Sequence, residues 1–425
     1  MAFDLRHILS GCLTASMLLM LCNMIKKDHI DPLLGDLSIQ PIITPNNGTK
    51  SSSDNGRHLT SSDPWGVNNT RNKEVLNPCW RKLTNSKPQE SEGFVFVTLA
   101  QDPEYHISQI ATAIVVAKYL GAALVIPNLR QSDQSGQKRT FGEIYDLEKF
   151  TESLDEKVMA QAMDSQIAKI YNQRVTTVKV PNMVSLEFIK SNIEPIFKST
   201  RNLRLSIYFP STKEQTRMSP YGCLGTFDTL MLRPELQKSI DSMIRTLRSL
   251  NPNNSEGRFV AVDYKVVETM PQSSDSSCPL DNTTGIKHCF DAKEIAHFLK
   301  KIGFENGTTI YLTINGWHTS IEHLRKVFPN TFTKDAIIPA DENSKFLDPE
   351  RPELRQIVDF YVSSAADVYV PTSSSLFSDN VVARRMATGK GQVLVPANRS
   401  SLSAEDYVPP YDISEKEHWA YSCFC

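Results

Sequence analysis

The stretch from residue 93 to 127 constrains the fold most. FVFVTL (Phe94–Leu99) is an uncharged run of β-formers, the length of a buried strand and too short for a buried helix. Apolar residues then recur at helical spacing, at Ile107, Ile110, Ala111, Ile114, Val115 and Ala117, and Gly121 stands where such a helix would stop. A second apolar run, ALVIP, occupies 123–127. Strand, helix and strand at this spacing form a βαβ unit, whose strands are parallel.

The pattern continues. A strand is expected at 203–209 and a helix at 233–250, opened by Pro234 and Glu235. RFVAVD at 258–263 opens a second series: helix 291–302 with Gly303 behind it, strand 309–314, helix 320–328, strand 367–371, helix 375–388 and strand 392–396. Two βα series joined at NPNNSEG (251–257) predict an α/β fold of two Rossmann-like domains, 78–255 and 256–425, facing across a cleft.

What precedes them is different. Residues 8–25, after a seven-residue tail (1–7), carry no charge and as a helix reach about 27 Å, enough for a thin bilayer. Arg6 lies before the run and Lys26 and Lys27 after it, so flanking charge does not orient it. A retained signal-anchor fits the length of the run; a cleaved signal peptide is the rival reading. Residues 26–77, rich in Pro, Gly, Ser, Asn and Asp, read as a flexible stem. Tail, anchor, stem and globular part make the layout of a single-pass type II Golgi protein with its bulk in the lumen.

Cysteine usage agrees with a lumenal chain. Cys12 and Cys22 fall in the apolar segment; Cys79, Cys223, Cys278, Cys289, Cys423 and Cys425 form an even set outside it, as expected of disulfides in an oxidising compartment. Pairing is not readable, although Cys278–Cys289 would staple a local loop. No CxxC pair or histidine pair indicates a zinc site. Sequons stand at Asn47, Asn68, Asn253, Asn282, Asn306 and Asn398, a weaker sign because an Asn- and Ser/Thr-rich chain contains several by chance. The net charge of −2, with no basic stripe, excludes a general nucleic-acid partner.

In open α/β sheets ligands bind beyond the carboxyl ends of the strands, which directs attention to three loops. In AQDPEYH (100–106), Asp102 caps, Pro103 suits the first helical position and Glu104 the first turn. Either the acids only stabilise the helix, or they face sugar hydroxyls, since two carboxylates repel a diphosphate. His106 serves as an acid or base near neutral pH, or is an ordinary surface histidine. In the second loop, Asp263-Tyr264-Lys265, the lysine either neutralises a leaving diphosphate or is solvated beside its aspartate. In the third, PTSSSLF (371–377), Ser374 and Ser375 with free N–H groups make an anion site, or one serine is a plain cap. Arg384 and Arg385 complement the dipole of that helix, or one reaches the cleft. There is no DxD triplet, GxGxxG, P-loop, GxSxG or HExxH.

PEYHISQI, NIEPIFKS, YFPS, TTIYLT, VFP.TFTK and the terminal AYSCFC together give a resemblance from about Pro78 to Cys425. By these stretches the chain resembles the plant O-fucosyltransferase-like family and its mannan-synthesis-related members. The resemblance implies a GT-B-type fold, a Golgi membrane location and a glycosyltransferase role in β-mannan (glucomannan) synthesis, with a GDP-sugar as donor substrate and neither cofactor nor metal. It also implies that Ser374, Ser375, Phe377 and the Arg384-Arg385 pair lie on the donor's phosphate side. Two departures stand out. The wider family has a Gly-rich loop where this chain has residues 102–106, and His-x-Arg where it has Asp263-Tyr264-Lys265, so the charge stays but the bidentate fork is lost. Three readings follow: a transferase acting on a glycan or mannan acceptor with Glu104, Asp102, His106 and Lys265 as catalytic candidates; a non-catalytic partner of a mannan synthase; and a glycan-binding module.

Overall fold

The structure, a computed structural model, describes residues 64–65, 76–82, 91–130, 140–154, 158, 160–173, 175–210, 217–251, 256–264, 290–315, 319–348, 351–373, 375–390, 392–396 and 418–425. The expected tail and anchor, most of the stem, Lys265, Ser374, Cys278, Cys289 and the sequons at Asn47, Asn68, Asn253, Asn282 and Asn398 lie outside the described residues. Among the described residues no helix is long and apolar enough to cross a membrane.

Strand β1 (Phe94–Leu99) leads through a short turn, Pro103–Tyr105, into α1 (His106–Leu120). Eleven of the fifteen residues of α1 are buried, so it is a core helix with almost no solvent face. Gly121 ends it at φ 63°, donating to the Ala117 and Lys118 carbonyls in a conformation only glycine adopts without strain. Then follow β2 (Ala123–Val125), β3 (Asn128–Leu129), α2 (Leu147–Leu154), β4 (Ala160–Gln161), α3 (Ser165–Gln173), β5 (Thr176–Pro181), α4 (Glu194–Thr200), β6 (Asn202–Tyr208), α5 (Pro220–Phe227) and α6 (Pro234–Ser249). The sheet runs β4-β2-β1-β6-β5, with β3 also beside β1, and every pairing is parallel. Helix α5 lies tightly on α1, because a Cβ at Gly225 would stand 2.6 Å from the Ala111 Cα.

The second series is β7 (Phe259–Asp263), α7 (Ala292–Ile302), β8 (Thr309–Leu312), α8 (Glu322–Val327), β9 (Thr331–Phe332), α9 (Pro352–Ala365), β10 (Val368–Pro371) and α10 (Leu376–Ala387). Its four strands are parallel in the order β10-β7-β8-β9. All residues of β7 and β8 are buried, which is why both read as unbroken apolar runs. The expected strand at 392–396 makes one bridge, Val393 to Tyr369, and Pro396 has no N–H with which to extend it. Strand β5 and helix α9 were not anticipated: β5 alternates buried and exposed residues, and Lys179 interrupts its apolar pattern.

The apolar interiors of the two halves are continuous; one cluster holds Leu124 and Leu205 with Tyr311, Val358 and Tyr369. The chain's last residues return to the first half. Cys425 is bonded to Cys79 and Cys423 to Cys223, Phe424 pairs with Pro78, and Trp80 stacks on Phe227 at 4.8 Å. The bridges span 346 and 200 residues of sequence, and crosslinks over such loops stabilise by restricting the unfolded chain. Cys423→Ser is expected to cost about 2–5 kcal/mol, read as a lower denaturant midpoint; an unchanged midpoint would contradict this role.

Candidate functional site

At the carboxyl ends of the second sheet, β7, β8 and β10 converge on one carboxylate. Asp263 ends β7 and is only 4% exposed. Thr313, just after β8, donates its hydroxyl to Asp263 Oδ1 (2.9 Å), and Ser378 in the first turn of α10 donates to Oδ2 (3.2 Å). Thr372, just after β10, donates to the Asp263 carbonyl (2.5 Å). A buried carboxylate is tolerable only with such donors. Ser375 caps α10, its oxygen accepting from the Ser378 N–H (3.2 Å) and lying 2.8 Å from Ser378 Oγ. Its hydroxyl therefore serves the helix rather than a ligand. The N–H groups of Leu376 and Phe377, at the positive end of a twelve-residue helix, have no hydrogen-bond partner among the described residues.

A second buried cluster fixes the loop after β8. Lys334, fully buried, pairs with Asp359 of α9 (2.8 Å) and donates to the Ile314 carbonyl (2.7 Å) and Asn315 Oδ1 (3.0 Å). Tyr311 donates to the other Asp359 oxygen at 2.7 Å. Burial pushes the Asp359 carboxyl up to about 6, with Lys334 and Tyr311 pulling down and Asp263 pushing up.

The loop after β1 meets this half through amides. Asn380 of α10 donates to the Glu104 carbonyl (2.8 Å), and Gln356 of α9 donates to Asp102 Oδ1 (3.3 Å). Asp102 is exposed and Glu104 half-buried. His106 is fully buried. Its Nε2 donates to the Ala100 carbonyl (2.8 Å), so Nδ1 accepts from the Tyr145 hydroxyl (2.7 Å). Burial lowers its pKa to about 4, against opposing pulls from the Ala100 carbonyl and Asp102. The surface and near-neutral titration expected for His106 are thus corrected: most of α1 is buried, and His106 lies on the side of its first turn that faces the interior.

Between the halves lies a groove of about 810 Å³. It adjoins a smaller pocket that forms its inner end, walled by Pro103, Glu104, Tyr145, Gln356, Phe360, Phe377 and Asn380. Glu104, Phe377 and Arg384 are brought together there, whereas Asp263 and Ser375 belong to the strand-end network. Arg384 lies over the Tyr361 ring at 4.4 Å. Its neighbour Arg385 is turned away, fully buried, donating to the carbonyls of Ser363, Ser364, Ala366, Asp367 and Gln392. It ties α9, β10 and the segment after α10, so its expected place beside the donor is corrected to a structural one. Asn380, Gln356, Tyr145, Lys334 and Asp359 were missed; the 377, 380, 384 spacing along α10 was the available signal for Asn380. Asn306 is exposed in the turn after α7, its Oδ1 accepting from Lys300 Nζ (2.6 Å). Among the described residues no three His, Cys, Asp or Glu gather to hold a metal.

The depressed His106 value fixes a sign. The unfolded chain binds the proton near pH 6.5 and the folded chain only near 4, so this residue's share of stability is complete above 6.5 and lost as pH falls towards 4. His106→Gln can keep both hydrogen bonds without titrating. Its stability measured by denaturant between pH 6.5 and 4 should fall less than the parent's; equal slopes would contradict the assignment.

The family described as GDP-fucose protein O-fucosyltransferase matches residues 107–388, which include most of both sheets. Over the whole of both chains, the sequence is 41% identical to Protein MANNAN SYNTHESIS-RELATED 1 of Arabidopsis thaliana and 34% identical to Protein MANNAN SYNTHESIS-RELATED of Trigonella foenum-graecum. Among solved structures, a NodZ α-1,6-fucosyltransferase co-crystallized with GDP overlaps 76% of this chain and 98% of its own at 10% identity, with a TM-score of 0.44. With its full-length relatives and its family match, this chain belongs to the GDP-fucose protein O-fucosyltransferase family, among the mannan-synthesis-related proteins.

Proposed function

We propose that the chain is a glycosyltransferase of mannan synthesis that moves a sugar from a GDP-linked donor to a glycan or mannan acceptor. The observation that carries the reading is the start of α10. Two N–H groups without a partner among the described residues, at a helix N-terminus beyond the carboxyl ends of a parallel sheet, suit an anion of the kind found on nucleotides. Lys265 follows Asp263 by two residues in the sequence. In this reading Lys265 and the Leu376 and Phe377 N–H groups offset the charge growing on the departing diphosphate. Family membership favours the donor class, and the relatives' names favour mannan as the pathway.

With His106 buried, Glu104 is the stronger candidate to orient or deprotonate the acceptor hydroxyl; Asp102 stands at the rim. In this reading the halves 78–255 and 256–425, less the terminal residues 418–425 that return to the first half, are the two lobes of a GT-B arrangement, with the donor on the second. The reading extends to a Golgi type II protein anchored by residues 8–25, glycosylated at Asn306 and the other sequons, with transfer that needs no metal. The two disulfides are compatible with an oxidising lumen. One observation favours a second reading, a non-catalytic partner of a mannan synthase: the Ser375 and Ser378 hydroxyls are already engaged within the loop.

Titrating the full-length chain with GDP, GDP-mannose and GDP-fucose by calorimetry, with and without EDTA, separates the two. The transferase reading expects micromolar binding that is unaffected by EDTA and weakened at least tenfold by Lys265→Ala. A folded chain that binds none of the three would contradict the transferase reading and favour the partner role.

A further inference from the structure

The outer part of the groove has a character that the transferase reading does not use. One face of α6, at Gln237, Lys238, Asp241 and Arg245, forms part of its wall, and one face of α10, at Asn380, Ala383, Arg384 and Ala387, forms another. Five cations line it, Arg81, Lys149, Lys238, Arg245 and Arg384, against two carboxylates. Both carboxylates are already engaged: Asp228 accepts from the Trp80 indole, and Asp241 from Gln237 (2.8 Å). None of the five cations is ion-paired among the described residues. Like charges gathered on a concave wall raise the local concentration of anions.

The inner end asks for something else. Asn380 is 2% exposed, and among the described residues neither its Oδ1 nor the buried Gln356 Oε1 beside it has a hydrogen-bond partner. Unpaired buried acceptors are costly and are relieved by a ligand's hydroxyl donors. Half-buried Phe227 and Phe360 add apolar faces suited to sugar rings. The volume is within the roughly 300–1,000 Å³ of small-molecule sites.

We propose that this groove binds an acidic oligosaccharide: hydroxyls on the Asn380 and Gln356 oxygens at the inner end, carboxylates on the cations at the mouth. The site adjoins the start of α10, since Glu104 and Phe377 wall its inner end, but it does not depend on the chain's being a transferase.

The test is calorimetry of the full-length chain with trigalacturonate and with mannotriose, at low and raised salt, beside the double variant Lys238→Glu/Arg245→Glu. Both substituted residues are exposed. Trigalacturonate should bind at least tenfold more tightly than mannotriose and weaken with salt. The double variant should lose at least tenfold of that affinity while its melting temperature and its response to GDP-sugars stay as in the parent. Equal affinity for mannotriose, no binding of trigalacturonate, or a double variant that binds as the parent does would each overturn the proposal.

Discussion

Asp263 holds the second half of the molecule in the form the site requires. A carboxylate at the end of a fully buried strand is costly unless donors surround it. Here the donors come from the segment after β8 and from the first turn of α10, while Thr372 after β10 donates to the carbonyl of the same residue. Side chain and carbonyl of this one residue together bring three segments to a common point. It also fixes where α10 starts and therefore which face that helix turns to the first half. The free N–H groups, the Asn380 amide and the Arg384 guanidinium occupy their places because the helix begins at Ser375 and nowhere else.

The coupling between the halves runs from there. Asn380, little more than one turn into α10, holds the backbone of the loop after β1, and Gln356 of α9 holds its aspartate. Arg385 holds the end of α9 and the turn into β10 through carbonyls of both, and Lys334 with Asp359 locks α9 to the loop after β8. A planar guanidinium suits the first task because five carbonyls in different directions need its fork of donors; a lysine would leave several unmatched. The polar contacts that cross between the halves thus depend on interior charges that are individually expensive to bury, and removing one partner of such a set leaves the other uncompensated.

Much of this was legible in the chain. The β1–α1–β2 unit showed itself because its apolar spacing switches from continuous to helical within a few residues and a glycine marks the helix end. Ser375 could be read as a cap, and the structure gives it that role. The side chains that matter most were harder. His106 precedes the residues that carry the helical spacing, which left open a solvent-facing position for a side chain that the fold turns to the interior. Arg384 and Arg385 are neighbours with the same charge near the same helix end, yet one position rotates a side chain by about 100°, and that separates a groove wall from the interior. Asn380 and Gln356 carry no charge and no motif; only the meeting of two helices with a loop far away in sequence gives them a role. The pairing of Cys79 with Cys425 depends on the chain's end returning across the whole fold, which no local pattern records.

The central claim is that the start of α10, set by Asp263, is where the donor's phosphates bind. A crystal structure of the chain with GDP-mannose tests it most directly. The account predicts diphosphate density against the Leu376 and Phe377 N–H groups with the Asp263 network unchanged; a nucleotide bound elsewhere, or a network that opens to admit it, would contradict it.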